Sequence, residues 1–416
     1  MSTKHSHKSF KVRAMQQSHS LKIILILWLA GLSAAAQFAK IGHILPELQT
    51  LYPHAGSSLG FLLSLISLVG ALLGLVAGVL VGRIGSRGVL IVGLVVGCLV
   101  SLIQSFGLPL SWLLASRVVE GASHLAIVVA APTLIAQYSS ERLRPAAMTL
   151  WGTFFGVSFA LTAWLGLPLV AAKGVEALFF AHAIFTGTVA LLVTYSLPKQ
   201  ALQTSGTVHS TAPFSLVGLY EQHKQAWSSP YIAAPAAGWL FYTVTFVALL
   251  AVLPGVMPIE QRAFIAAALP LASIASSMTL GIVLLKRFSA VQVLCSGFIA
   301  AIGFALLLLL IPSEPLIAVL LFASLGLVQG ASFAAVPQLN KTAPKQALAN
   351  GALAQAGNIG NLCGTPLFLI LLSTGGMQAM ITLVITCYIG AVAVHLVFAK
   401  RRTYETFRLR LLDKGR

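Results

Sequence analysis

The sequence predicts an all-α integral membrane protein, with twelve transmembrane helices in two pseudo-symmetric six-helix bundles. Three observations carry this. Of 416 residues, 58% are hydrophobic and 8% charged, with a mean hydropathy of +0.92; a soluble chain carries about 25% charged residues. The apolar residues form continuous runs near the ~20 residues that a bilayer-crossing helix needs, whereas barrel strands alternate every second residue. Lysine and arginine fall between those runs in a one-sided pattern.

The first run, 21–45, follows a basic arm, 1–20. It is of full spanning length and lacks a small-residue cleavage site before the next run, so no cleavable signal is expected. The second, 58–81, carries Gly70, Gly74 and Gly78, continued by Gly82, a smooth stripe that lets helices approach closely. The third run is 87–106 and the fourth 111–137. The fifth, 146–170, ends in "GLPL", and the sixth is 176–197. Residues 198–230 form the longest polar stretch and read as a cytoplasmic linker between halves. Beyond it come runs at 231–254, 262–285, 289–311, 315–339, 347–372 and 377–399, then a basic tail, 400–416.

With the N-terminus placed in the cytoplasm, 22 of the 26 lysines and arginines lie in the arm, the tail or the five inner loops. This is the positive-inside pattern, which puts both termini in the cytoplasm. The net charge of +17 is therefore expected to face an anionic lipid leaflet, with no nucleic-acid partner. Cys98, Cys295, Cys363 and Cys387 all lie in predicted helices without metal-ligand spacing, so no metal or cofactor is expected.

The halves resemble each other. "EGAS" at 120–123 is echoed by "QGAS" at 329–332, and Pro132 and Pro337 follow. Trp151-Gly152 and "GLPL" in the fifth run are matched by Asn350-Gly351 and "GTPL" in the eleventh, and Gly78 and Arg83 by Gly281 and Lys286. A duplicated six-helix unit is one plan of secondary transporters.

"GVLVGRIGSRG" between the second and third runs is similar to G-x-x-x-D-R-x-G-R, the signature of the major facilitator superfamily. Gly78, Arg83, Gly85 and, one residue late, Arg87 match it, while Gly82 stands where the family has aspartate. The resemblance implies that this loop latches the halves on the cytoplasmic side, here without its carboxylate. "RVVEG", "VVAAPTLIAQ", "MTLWGTFFG" and "ANGALAQAGNIGNLCGTPLF" resemble the prokaryotic cyanate-permease-like branch. The family implies a cavity between the halves, opened to each side in turn.

Glu120 alone of nine acidic residues falls well inside a run. At 100° per residue it shares a helical face with Arg117, Gly121 and His124. Intramembrane charges face a cavity or a partner, so proton coupling is assigned to Glu120, Arg117 and His124. Lys40 and Gln37 of the first run reach similar depth, as does His182 of the sixth; with Arg117 and His124 they are expected to line the cavity and bind the solute, more positive than negative groups suiting an anionic or zwitterionic one. A static Arg117–Glu120 pair is the plain alternative. The second half offers Gln329, Gln355, Asn358 and Asn361, amides that orient a solute without titrating or join helices. Trp151, Trp239 and Tyr242 are candidates to pack against it. Motifs of hydrolases and phosphate-binding enzymes are absent. The expected function is secondary transport of a small polar, anionic organic solute across the bacterial cytoplasmic membrane. A proton gradient would drive it, with a monomer sufficing; the alternative is efflux of a larger amphipathic compound or metal-chelating metabolite.

Overall fold

The structure, a computed structural model, describes residues 2–198, 216–312 and 314–414. Most of the polar linker, 199–215, and the chain ends at 1 and 415–416 lie outside the described residues. Among those described, eleven helices are long and apolar enough to span a membrane, and the last is two helices in series. The spanning helices are α1 (Ser2–His43), α2 (Phe61–Ile84), α3 (Ser86–Gln104) and α4 (Leu110–Tyr138). Next is α5, built from Arg144–Gly152, Phe154–Leu161 and Leu167–Lys173, then α6 (Val175–Ser196). In the second half are α7 (Ala233–Val256), α8 (Ile259–Ser276 continued by Ile282–Leu285), α9 (Ala290–Leu310) and α10 (Pro315–Leu339). Residues 343–375 form α11 and 377–414 form α12.

Local chemistry sets these boundaries. Gly85 (φ 92°) separates α2 from α3, and Gly376 (φ 62°) separates α11 from α12. Both take left-handed backbone angles at which a Cβ would clash, so one residue reverses the chain. A π turn at Thr162–Gly166 breaks α5 just before Pro168. Proline lacks the N–H and crowds the carbonyl four residues back, and a π turn relieves both. A second π turn, Ser277–Gly281, lies in α8.

The halves meet at the end that carries the chain termini, chiefly through α2 and α4 against α11 and α5 against α10. The glycine stripe of α2 forms this seam. A Cβ on Gly78 would lie 2.7 Å from the Ala347 carbonyl oxygen, and one on Gly351 would lie 2.8 Å from the Gly78 Cα. The helices approach backbone to backbone, where no larger residue fits. At the other end the bundles make no comparable contact among the described residues.

In the loop between α2 and α3, Arg87 donates to the carbonyl oxygens of Leu197 (3.1 Å) and Thr194 (2.9 Å). It thus caps α6, where a cation also meets the negative end of the helix dipole. A short helix, Leu216–Ser228, follows the undescribed part of the linker. Two arginines of α12 hold its end: Arg401 donates to the Ser228 carbonyl (2.9 Å) and Arg402 to that of Pro230 (2.8 Å).

Candidate functional site

The residues singled out in the sequence separate into three places: a sealed ionic cluster, a cavity between the halves and the closed seam. The cluster sits inside the first bundle. Lys40, Arg117 and Glu120 are all buried. Glu120 is held on both oxygens, by Lys40 at 2.5 Å on Oε1 and by Arg117 Nη1 on Oε2. Arg117 also donates to the carbonyls of Leu62 (2.7 Å) and Gln37 (2.8 Å), which ties α4 to α2 and α1. Gln37 donates to Ser123 (3.0 Å), which donates to the Gly93 carbonyl (2.7 Å). These bonds compensate for removing three charges from water.

α3 completes the cluster. Lys40 donates to Ser101 Oγ and to Gln104 Oε1, each at 2.7 Å. The Gln104 amide donates to Glu120 at 3.0 Å, and Ser101 meets His182 at 2.7 Å. Sequence reasoning missed Ser101 and Gln104 although a signal existed: two polar residues one helical turn apart in an apolar run.

The cavity lies between the halves. Of the expected binding residues, His124, Trp151, Trp239, Tyr242, Gln329, Asn358 and Asn361 line it. Lys40, Gln37, Arg117, Glu120 and His182 do not; they stand behind its wall within the first bundle. His124 lines the cavity one helical turn beyond Glu120. Its Nδ1 is 3.0 Å from the Ala34 carbonyl, an oxygen that only accepts, so Nδ1 carries the hydrogen and neutral Nε2 is an acceptor. Gln355 belongs to the seam, where it donates to the Ala71 carbonyl (2.9 Å) and accepts from Trp227 (3.4 Å).

Aromatic rings form most of the cavity wall. Trp239 stacks on Tyr242 at 4.5 Å and Tyr242 on Phe246 at 4.8 Å. Across from them Trp151 stacks on Phe154 at 4.6 Å, and Phe333 meets both tryptophans edge-on. Trp151 Nε1, Tyr242 Oη and the Asn361 and Asn350 carbonyl oxygens are buried without a hydrogen-bond partner. A buried polar group left so costs about 1–3 kcal/mol. The cavity holds about 770 Å³ of empty volume, including the part open to solvent, and no carboxylate lines it. Sequence reasoning missed the phenylalanines and Asn350, because phenylalanine facing lipid looks identical in sequence to phenylalanine facing a cavity.

The sequence profile of the Major Facilitator Superfamily matches residues 27–340. The chain is 29% identical over 182 residues to the 4-hydroxybenzoate transporter PcaK of Pseudomonas putida, which is 44% of this chain and 40% of that protein. The same-named protein of Pseudomonas aeruginosa is 28% identical over an equal span. The match thus covers about two-fifths of the length of these relatives. Among solved structures, the fold is similar to the E. coli fucose:proton symporter FucP (TM-score 0.73, 16% identity, 92% of this chain and 99% of that one). It is also similar to the human organic anion transporter MFSD10 (TM-score 0.71, 16% identity, 90% and 99%).

Proposed function

The chain belongs to the major facilitator superfamily, a family of transporters and not enzymes, and on that premise we propose that it is a proton-coupled secondary transporter of a small anionic organic solute. The solute is an aromatic acid. It moves across the bacterial cytoplasmic membrane by alternating access, with both termini in the cytoplasm and one chain sufficing.

One observation carries this reading: a slot walled by stacked rings, with two partnerless buried donors, Trp151 Nε1 and Tyr242 Oη. Flat apolar walls suit a planar ring. Donors without acceptors suit a carboxylate or phenolate, which only accepts, and a wall without carboxylates does not repel it. PcaK, named for 4-hydroxybenzoate transport, fits this chemistry. The buried cluster supports the coupling, since intramembrane ionisable groups mark proton paths.

The test profiles metabolites inside and outside cells with and without the protein. Aromatic acids retained inside the deletion strain identify an exporter, and aromatic acids left outside it identify an importer. A difference confined to cations or large amphipathic compounds overturns the reading.

A further inference from the structure

We infer that Lys40, Ser101 and His182 form a proton relay, in which the Ser101 hydroxyl lets Lys40 and His182 exchange one proton. Its use rests on the proton-coupled reading above; its existence rests on hydrogen-bond geometry alone.

The direction of every bond in the chain follows from one carbonyl. His182 Nε2 lies 2.9 Å from the Ser33 carbonyl oxygen, which only accepts, so Nε2 carries a hydrogen. In a neutral ring Nδ1 is then the acceptor, and Ser101 Oγ, 2.7 Å away, donates to it. That leaves the Ser101 oxygen free to accept from Lys40, also at 2.7 Å. The ammonium also donates to Gln104 (2.7 Å) and forms an ion pair with Glu120 (2.5 Å). Gln104 is fixed in turn, because its amide donates to Glu120 (3.0 Å) and Ser116 (2.9 Å).

The same atoms support the transferred state without moving. A Lys40 N–H bond breaks as an O–H bond forms on Ser101, while the former Ser101 hydrogen bonds to His182 Nδ1. Lys40 ends as an amine accepting from Ser101, and His182 as an imidazolium donating to it. Proton number and charge are conserved. Two formal cations, Lys40 and Arg117, share one carboxylate, so the cluster holds one surplus positive charge, and it is this charge that the relay moves. Arg117 keeps Glu120 paired when Lys40 gives up its proton.

The groups facing this relay are Glu120 and Arg117 of α4, Gln104 of α3, and Thr186 of α6, 3.3 Å from His182 Nε2; His124 of α4 lies within electrostatic reach of Glu120 and Arg117. The Phe179 ring of α6 lies 5.2 Å from the ammonium. Lys40 and His182 both border a second pocket, between α1, α5 and α6, lined also by Ser158 and Thr162. It begins at the π turn of α5, a feature frequent at functional sites. Both ends of the relay therefore border this pocket, and neither lines the central cavity.

The test uses the full-length protein with 15N-labelled histidine in lipid nanodiscs, followed by NMR between about pH 5 and 8, the range in which histidine changes charge. His182→Asn identifies the signal. Wild type should show the Nε2–H tautomer with a hydrogen-bonded Nδ1, and one exchange-averaged signal. Ser101→Thr, which keeps the hydroxyl, should match it. Ser101→Ala should lose the Nδ1 hydrogen bond and the fast averaging. An Nδ1–H tautomer in wild type would overturn the relay even if Ser101→Ala did not fold, and so would a Ser101→Ala spectrum equal to that of Ser101→Thr. The spectra report the relay whether or not a solute is moved, so they are separate from the outcome of metabolite profiling.

Discussion

Glu120 and Gln329 occupy the same place in the two sequence repeats, "EGAS" and "QGAS", yet they bond in different directions. Glu120 turns into its own bundle and is locked between Lys40 and Arg117. Gln329 reaches out of its bundle to the Gly152 carbonyl of the other half, at 2.5 Å. The first half thus keeps its charge sealed, while the second half meets its neighbour with neutral amides. A charge needs compensation on every side and is expensive to expose and rebury. An amide makes and releases one bond at an average cost near 0.6 kcal/mol in a membrane bundle. The half that holds charge and the half that latches are therefore assigned different work by the energies involved.

The largest expected effect tests the sealed side. Glu120→Gln leaves two cations without their carboxylate. It should abolish pH-driven transport and cost about 3–5 kcal/mol, the scale for breaking a buried pair, read as a lowered thermal midpoint in detergent. Arg117→Met leaves a one-to-one Lys40–Glu120 pair and should cost less; an equal or larger loss would break the account of the surplus charge.

The seam comes next. Gly78→Val places a Cβ 2.7 Å from the Ala347 carbonyl oxygen, an overpacking cost of about 1–3 kcal/mol. The closed end should open roughly tenfold more often, seen as longer spin-label distances between α2 and α11 by double electron–electron resonance. An unchanged distance distribution would show that the glycine contact does not hold this end.

Smaller effects sharpen the contrast. Tyr242→Phe keeps the stacked ring and removes one donor, so affinity for an aromatic acid should fall by about 0.5–1.5 kcal/mol in calorimetric titration. Gln329→Leu removes one latch bond and should shift the closed-to-open ratio by about threefold, from about 0.6 kcal/mol. If Gln329→Leu instead abolished solute binding with the opening unchanged, Gln329 would belong to the cavity alone.

Much of this was legible before folding. The runs near 58–81, 111–137 and 315–339 correspond to α2, α4 and α10 within a few residues, because bilayer thickness sets helix length and few other constraints compete. The cluster was legible in part. Arg117, Glu120 and His124 share a face by periodicity, and the structure divides that face: His124 lines the cavity, whereas Arg117 and Glu120 turn to α1, α2 and α3. Gln355 likewise looks like a cavity amide in sequence and binds Ala71 across the seam. Periodicity gives the direction in which a side chain leaves its helix and says nothing of which helix stands there.

The sequence by itself determined a membrane-spanning chain, the places where it turns, and the presence of one costly carboxylate with cations near its depth. Those follow from local quantities: apolar length, charge distribution and helical repeat. Only the tertiary structure decided that the cations close on Glu120 away from the cavity between the halves, that Ser101 and His182 extend the cluster, and that aromatic rings from both halves line one cavity. These contacts join residues up to hundreds of positions apart, and their partners are chosen by how twelve helices pack together.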